Sequence, residues 1–356
     1  MKKYFKGIAL LVTMLMLVSV FAVGCAQKTE APQLAPETKK EDVQKEEPKK
    51  EEAKKEEVKW PTKSVQVIVP AGAGGDTDFN ARTVSKYLEK ELGKSFVVVN
   101  VKGAGGTIGS RKVKDAEPDG HTVLFFHNSM LISKILGLVD YSHEAFKEAG
   151  VAVLDKACAF VVSADSKYKN LQDVIDQLKK EPKSVKFATE VGAFTHLQVL
   201  AFQEATGTEF NIVDVGGAAA KTAALKGGQI DVIGTQYGLI KQYIDAGDFR
   251  CIGILADKPV EGVDAKTFKE QGVDIAFDKF YHFAFPKDTP DEIVDKFTKA
   301  LEKVVSSPEY QKDISKYYLV PSYMPPKEAT EYLNKTEEFY NTFKDKILEA
   351  QKNNKK

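Results

Sequence analysis

Cysteine and histidine are scarce in this chain. Three cysteines in 356 residues cannot make the disulfide framework that staples small exported domains. The five histidines, His121, His127, His143, His196 and His282, do not fall at zinc-ligand spacings with cysteine or carboxylate, so no metal site is expected. A charge excess is missing too. There are 51 Lys+Arg against 51 Asp+Glu, no segment forms a basic face, and nucleic acid drops out as a partner. Neither a Gly-x-Ser-x-Gly elbow nor a Walker loop occurs. Gly103-x-Gly105-x-x-x-Gly109 misses the dinucleotide spacing, because position 108 is Ile, and no acidic residue about 20 positions on serves as a ribose ligand. An exported enzyme using a dinucleotide or a carboxylate is kept as an alternative class, as is a receptor that senses a ligand for a signalling partner. No cofactor is expected, and no internal repeat of solenoid period is present.

What the chain does have begins at its front end. Met1-Lys2-Lys3-Tyr4-Phe5-Lys6 is basic, and residues 7–23 are apolar and uncharged. That run is shorter than the roughly 20 residues that span a bilayer, which predicts a signal peptide over residues 1–24. Ala22-Val23-Gly24 before Cys25 resembles a bacterial lipobox, with Ala22 where a leucine is usual. The expectation is a diacylated Cys25, since two acyl chains hold a protein to a membrane where one is marginal. Residues 25–59 alternate Glu and Lys blocks, carry Pro32, Pro36 and Pro48, and have few large apolar side chains. Such a segment cannot bury enough surface to offset its ordering entropy. It reads as a tether, on the order of 100 Å long when extended at about 3.3 Å per residue. The expected location is the outer face of the cytoplasmic membrane, or the periplasm. Residues 60–356 remain, enough for two compact lobes.

Within that region Gly-Ala-Gly-Gly occurs twice. Val65-Gln66-Val67-Ile68-Val69 leads into Pro70-Ala71-Gly72-Ala73-Gly74-Gly75-Asp76-Thr77-Asp78, and Phe96-Val97-Val98-Val99 leads into Gly103-Ala104-Gly105-Gly106-Thr107. Each apolar run predicts a buried strand. A glycine-rich turn between strand and helix frees backbone N–H groups at the positive end of a helix dipole, which suits an anion. Both loops follow the carboxyl ends of strands, where open α/β sheets bind ligands.

Further along, periodicity predicts helices over residues 78–92, 171–180, 195–205, 218–226, 290–306 and 326–353. Strands are predicted over residues 121–126, 185–189, 210–215 and 229–234. The Ala-rich helix stops at Gly227-Gly228, a C-cap signature. This alternation predicts an α/β fold with mostly parallel sheets. Cys158 and Cys251 lie in apolar runs that read as buried strands. Two readings stand for them, inert core thiols or a disulfide in an exported protein.

Several of these motifs together resemble the substrate-binding proteins of tripartite tricarboxylate transporters, the Bug receptors. They are Val67-Ile68-Val69-Pro70 with the first glycine loop and Ala81-Arg82, then Gly103-Ala104-Gly105-Gly106-Thr107-Ile108-Gly109 followed by Pro118-Asp119-Gly120. Gly192-Ala193-Phe194-Thr195-His196-Leu197, Gly227-Gly228-Gln229-Ile230-Asp231 and Phe285-Pro286-Lys287-Asp288-Thr289-Pro290 complete the ordered set. The resemblance implies a two-lobed periplasmic-binding-protein-like (type II) fold. Lobe one would be residues 60–162 plus 283–356, and lobe two residues 163–282, with a hinge and an interlobe cleft. It implies a non-enzymatic receptor, acting as a monomer, that delivers a small carboxylate to membrane permease subunits. The carboxylate would sit on backbone N–H groups of Gly74, Gly75, Asp76, Thr77 and Asp78 on one lobe, and of Gly192, Phe194, Thr195 and His196 on the other. Thr107, Asn128, Ser129, Gly216, Gly217, Thr235 and Gln236 follow strands at the same sheet edge and are further candidates.

Structural roles compete for some of these residues. Asp76, Thr77 or Asp78 would serve equally as a helix N-cap, and His196 as a hydrogen-bonder that holds its loop. Three departures from the family pattern bear on specificity: Ala71 replaces an aromatic, Asp76 replaces a small neutral residue, and Thr235 replaces an acid. A carboxylate at position 76 is unfavourable beside an anion unless something positive accompanies it. No Lys or Arg lies between Pro70 and Asn80, so backbone donors are expected to carry the grip.

Overall fold

The structure is a computed structural model and describes residues 58–345 and 348. The signal segment, Cys25 and the tether as far as residue 57 lie outside the described residues. Among the described residues, no helix is long and apolar enough to cross a membrane.

The chain opens with β1 (Val65–Val69), α1 (Asp76–Leu92) and β2 (Phe96–Asn100). A 3-10 turn at Ala104–Gly106 runs into α2 (Thr107–Lys114), then β3 (Thr122–His127), α3 (Ser129–Ile135) and β4 (Phe146–Asp155). Next come β5 (Cys158–Ser163), α4 (Leu171–Lys180), β6 (Lys186–Thr189), α5 (Phe194–Thr206) and β7 (Asn211–Asp214). They are followed by α6 (Ala218–Lys226), β8 (Val232–Gln236), α7 (Tyr237–Asp245) and β9 (Phe249–Ile254). The chain then returns through β10 (Lys279–Pro286), α8 (Asp291–Ser306), α9 (Pro308–Ser315), β11 (Leu319–Met324) and α10 (Pro326–Asn341).

Two sheets result. The first has six strands in the order β11-β4-β10-β3-β1-β2, the second five in the order β7-β6-β8-β5-β9. The chain changes sheet between Asp155 and Cys158, and is back in the first sheet at Lys279. Helices flank both sheets, which makes the fold α/β and two-lobed. The parallel pairs are β1 with β2 and β3, and β6 with β7 and β8. The expectation of mostly parallel sheets needs correction, because β10 runs antiparallel to β3 and β4, β11 to β4, and β5 to β8 and β9. The strands that enter after a change of sheet insert against the direction of the βαβ units, so both sheets are mixed.

Burial explains the strands. All eight residues of β10 are buried, as expected for a strand with a neighbour on each edge and cover on both faces. Helix α8 turns Val294, Phe297, Ala300, Leu301, Val304 and Val305 inward, an apolar stripe at helical spacing. Helix α4 starts where Asn170 accepts the Asp173 N–H. The predicted helix over residues 326–353 is interrupted after Asn341. There the Thr342 hydroxyl and N–H both donate to the Phe339 carbonyl, at 2.7 and 3.2 Å, which diverts an acceptor from the helical ladder.

Cys158 and Cys251 are both free thiols. Val161 is the residue of β5 that pairs with Cys251 of β9, whereas Cys158 faces Gln236 of β8. The inert-thiol reading holds and the disulfide reading does not.

Asp155, at the change of sheet, is fully buried and accepts the Ala157 N–H at 2.9 Å. Burial pushes its carboxyl up to about 6. A carboxyl raised in the fold above its unfolded value gives stability that is complete below the unfolded value near 3.8 and is lost as pH rises toward 6. Asp155→Asn keeps the acceptor and removes the buried charge. It should raise chemical-denaturation stability at pH 7 by about 1–3 kcal/mol and leave stability at pH 4 nearly unchanged. Equal effects at both pH values would show that Asp155 titrates normally.

Candidate ligand-binding cleft

The carboxyl ends of β1, β6 and β8 face one cleft between the lobes, and three helices begin there. Helix α1 starts after Gly75, α5 after Ala193 and α6 after Gly217, and none of these N-cap residues supplies a side-chain cap. Helix N-termini without side-chain caps present N–H donors and positive dipole ends, so the cleft favours an anion. Gly75, Asp76, Thr77, Ser129, Phe194, Thr195, Gly217, Thr235 and Gln236 all line it.

The other sequence candidates sit at its margins. The Gly74 N–H donates to Asp78 Oδ2 at 3.0 Å, and Arg82 pairs with Asp78 at 3.0 Å. Asp78 therefore closes the loop from inside. Gly74 takes the left-handed conformation (φ 75°), whereas Gly75 is extended (φ −89°). A Cβ at Gly75 would lie 3.4 Å from the Gly72 carbonyl oxygen, an ordinary contact. Only the first of the two needs glycine for its conformation. Thr107 donates to the Ala104 carbonyl at 2.9 Å, a local turn bond. His196 is buried, its ring is lowered to about 4 by burial, and its Nδ1 accepts the Gly192 N–H at 3.4 Å. It holds the Gly192 loop as a neutral hydrogen-bonder. Asn128 is also structural, donating to Tyr340 Oη at 2.6 Å and accepting the Phe280 N–H at 3.0 Å. Gly216, with φ 90°, turns the chain into α6.

Asp76 does not cap its helix. Its carboxylate is ion-paired with Lys279 and accepts the Tyr281 hydroxyl at 3.0 Å. Burial raises a carboxyl, but the Lys279 ammonium more than reverses this and holds Asp76 well below the usual carboxylate range. The positive partner that a carboxylate here requires is thus a lysine from the first residue of β10. His127, also at the cleft, is pushed well below its ordinary value, first by burial and then by Lys279, and is neutral.

A second buried lysine changes the expected chemistry. Lys221, on the first turns of α6, is 3% exposed. Its ammonium donates to the Gly234 carbonyl at 2.5 Å and to Thr195 Oγ1 at 3.3 Å. Burial lowers it to about 8, with Asp76 partly opposing. It therefore remains mostly charged at neutral pH, with no carboxylate within 4 Å among the described residues. Four buried polar atoms on the cleft wall also lack partners among the described residues: Thr77 Oγ1, Thr235 Oγ1, Gln198 Nε2 and Gln236 Nε2. Buried polar groups are normally satisfied. A cation and four orphaned hydroxyl and amide groups in one cleft fit an oxygen-rich anion.

Sequence reasoning missed Lys221, Lys279, Gln198 and Glu190. A signal for two of them existed. Lys221 shares a helical face with Ala218, Ala224 and Leu225, and Lys279 opens the apolar run Phe280-Tyr281-His282-Phe283. In each case a cation stands where the pattern calls for an apolar residue. The structure also brings the lobes into contact. Phe194 N–H donates to Ser129 Oγ at 2.9 Å, and Asn80 Nδ2 to Gln236 Oε1 at 3.3 Å.

A two-lobed α/β molecule with an anion-favouring interlobe cleft belongs to the class of periplasmic solute-binding proteins. The profile described as "Tripartite tricarboxylate transporter family receptor" matches residues 80–344, and the chain belongs to that family. A UPF0065 protein of Agrobacterium vitis is 30% identical over 254 residues, covering 70% of this chain and 73% of that protein. The solved structure of the periplasmic binding protein BugD is 26% identical with a TM-score of 0.77, covering 81% of this chain and 99% of that one. A solved periplasmic transporter is 28% identical with a TM-score of 0.76, covering 79% of this chain and 96% of that one.

Proposed function

We propose that this chain is an exported, lipid-anchored receptor that captures a small carboxylate between its lobes and delivers it to the permease subunits of a tripartite tricarboxylate transporter. It acts without catalysis. The observation that supports this best is the buried Lys221 ammonium beside the helix starts of α5 and α6, with Gln198, Thr77, Thr235 and Gln236 around it. The ligand's carboxylate lies between the N–H groups that open α1 on one lobe and Lys221 with its neighbour Thr195 on the other. The hinge is where the chain passes between sheets, near Asp155–Cys158 and before Lys279. Ligand favours the closed form through contacts that the open form lacks.

Thermal melting with a panel of mono-, di- and tricarboxylates and amino acids tests the reading. A ligand at about 100 times its Kd adds roughly 2.7 kcal/mol of stability. A panel without any shift would remove the receptor reading.

The anchor is tested separately. Cys25→Ser should release the protein from membranes or leave the precursor uncleaved, as read by fractionation and mass spectrometry. A correctly cleaved serine variant that still sediments with membranes would show that Cys25 carries no lipid.

A further inference from the structure

Once Asp76 and Lys279 are set aside as a pair, two charged side chains face the cleft, Lys221 and Glu190. Both come from lobe two, Lys221 from α6 and Glu190 from the residue after β6. They are coupled electrostatically, yet no ion pair within 4 Å joins them. Glu190 Oε2 lies at the start of α6, 3.8 Å from where a Cβ on Gly217 would stand, and the nearby Gly105 N–H of lobe one favours its charged form. Burial raises its carboxyl, because nothing in the cleft fully replaces the water it lost. The cleft therefore offers one cation with donors around it and, apart from it, one anion.

A di- or tricarboxylate fits this arrangement poorly. Its first carboxylate finds Lys221, and the second is buried near Glu190, where like charges repel. A molecule carrying a carboxylate and an ammonium a few ångströms apart makes both charge-assisted contacts, which the two side chains do not make with each other.

We propose that the cleft selects an amino acid, with Lys221 holding its carboxylate and Glu190 its protonated amine. This rests on the carboxylate-receptor reading above and narrows it to a zwitterion.

The test is calorimetry on the full chain with matched pairs of acids that differ only in the amine: L-glutamate and glutarate, L-aspartate and succinate, L-leucine and 4-methylpentanoate, L-phenylalanine and 3-phenylpropanoate. At least one amino acid should bind about 100-fold more tightly than its deaminated partner, the scale of a charge-assisted hydrogen bond. In Glu190→Gln that ratio should collapse toward one, and in Glu190→Asp, which keeps the charge, part of it should return. Tighter binding of a plain carboxylate than of any amino acid overturns the inference while leaving the receptor reading intact. A ratio that survives in a folded Glu190→Gln variant also overturns it. If no acid binds at all, the receptor reading fails and the inference with it.

Discussion

Lys221→Met should abolish ligand binding and at the same time make the ligand-free protein more stable. The two effects share one cause. An ammonium buried with no carboxylate within 4 Å has lost its hydration, and this burial lowers it from 10.5 to about 8. A lysine lowered in the fold carries a stability penalty that is complete below about 8 and fades as pH rises toward 10.5. Replacing it with an apolar side chain of similar length removes roughly 2–3 kcal/mol of penalty at pH 7. Binding moves the other way. A carboxylate in the cleft loses a charged hydrogen bond and is left buried without a counter-ion, which costs about 3–5 kcal/mol, or 100-fold and more in affinity. In the native protein, affinity should be flat from pH 6 to 7 and fall by up to tenfold per pH unit above 8, because binding then requires uptake of a proton by Lys221. Calorimetry and denaturation of one variant check both signs. Unchanged affinity would remove Lys221 from the site.

Lys279→Met should cost about 3–5 kcal/mol of stability, because it leaves the Asp76 carboxylate buried and unpaired next to Tyr281. Asp76→Asn combined with Lys279→Met should recover most of that loss, since a neutral pair carries little desolvation penalty. The coupling between the two single changes is the informative quantity. If the double variant is as unstable as Lys279→Met alone, the lysine acts through packing and the ion pair contributes little. The same comparison separates Asp76 from ligand recognition. With its oxygens taken by Lys279 and Tyr281, Asp76 holds the start of α1 against β10 and leaves the amine-reading role to Glu190.

How far the sequence could be read follows from the range of the forces involved. Helices α4 and α6 match their predicted ranges because local periodicity and punctuation, such as Gly227-Gly228 after α6, decide them. The glycine loops were legible because strand, glycine turn and helix lie consecutively in the chain. The antiparallel strands were not, because β10 and β5 take their direction from how the chain re-enters each sheet, which no local pattern encodes. The site divides in the same way. Thr77, Thr195, Thr235 and Gln236 were expected at the cleft because they lie at or just after strand ends, and all four line it. Lys221 and Lys279 were missed because their meaning comes from partners far away in sequence. Lys279 is 203 positions from Asp76, and Lys221 gains its role only when α6 packs its inner face toward Gly234. The lack of Lys or Arg between Pro70 and Asn80 suggested a grip by backbone alone. Tertiary structure supplies the cations from lobe two and from β10.

The most direct test is a crystal structure of the chain with the tightest-binding acid of the panel. The carboxylate should lie within about 3.2 Å of Lys221 Nζ, against the starts of α1 and α5, with the lobes in contact through Phe194 and Ser129 as they are here. Electron density for the acid outside the cleft, or inside it with its carboxylate turned away from Lys221, would contradict the account.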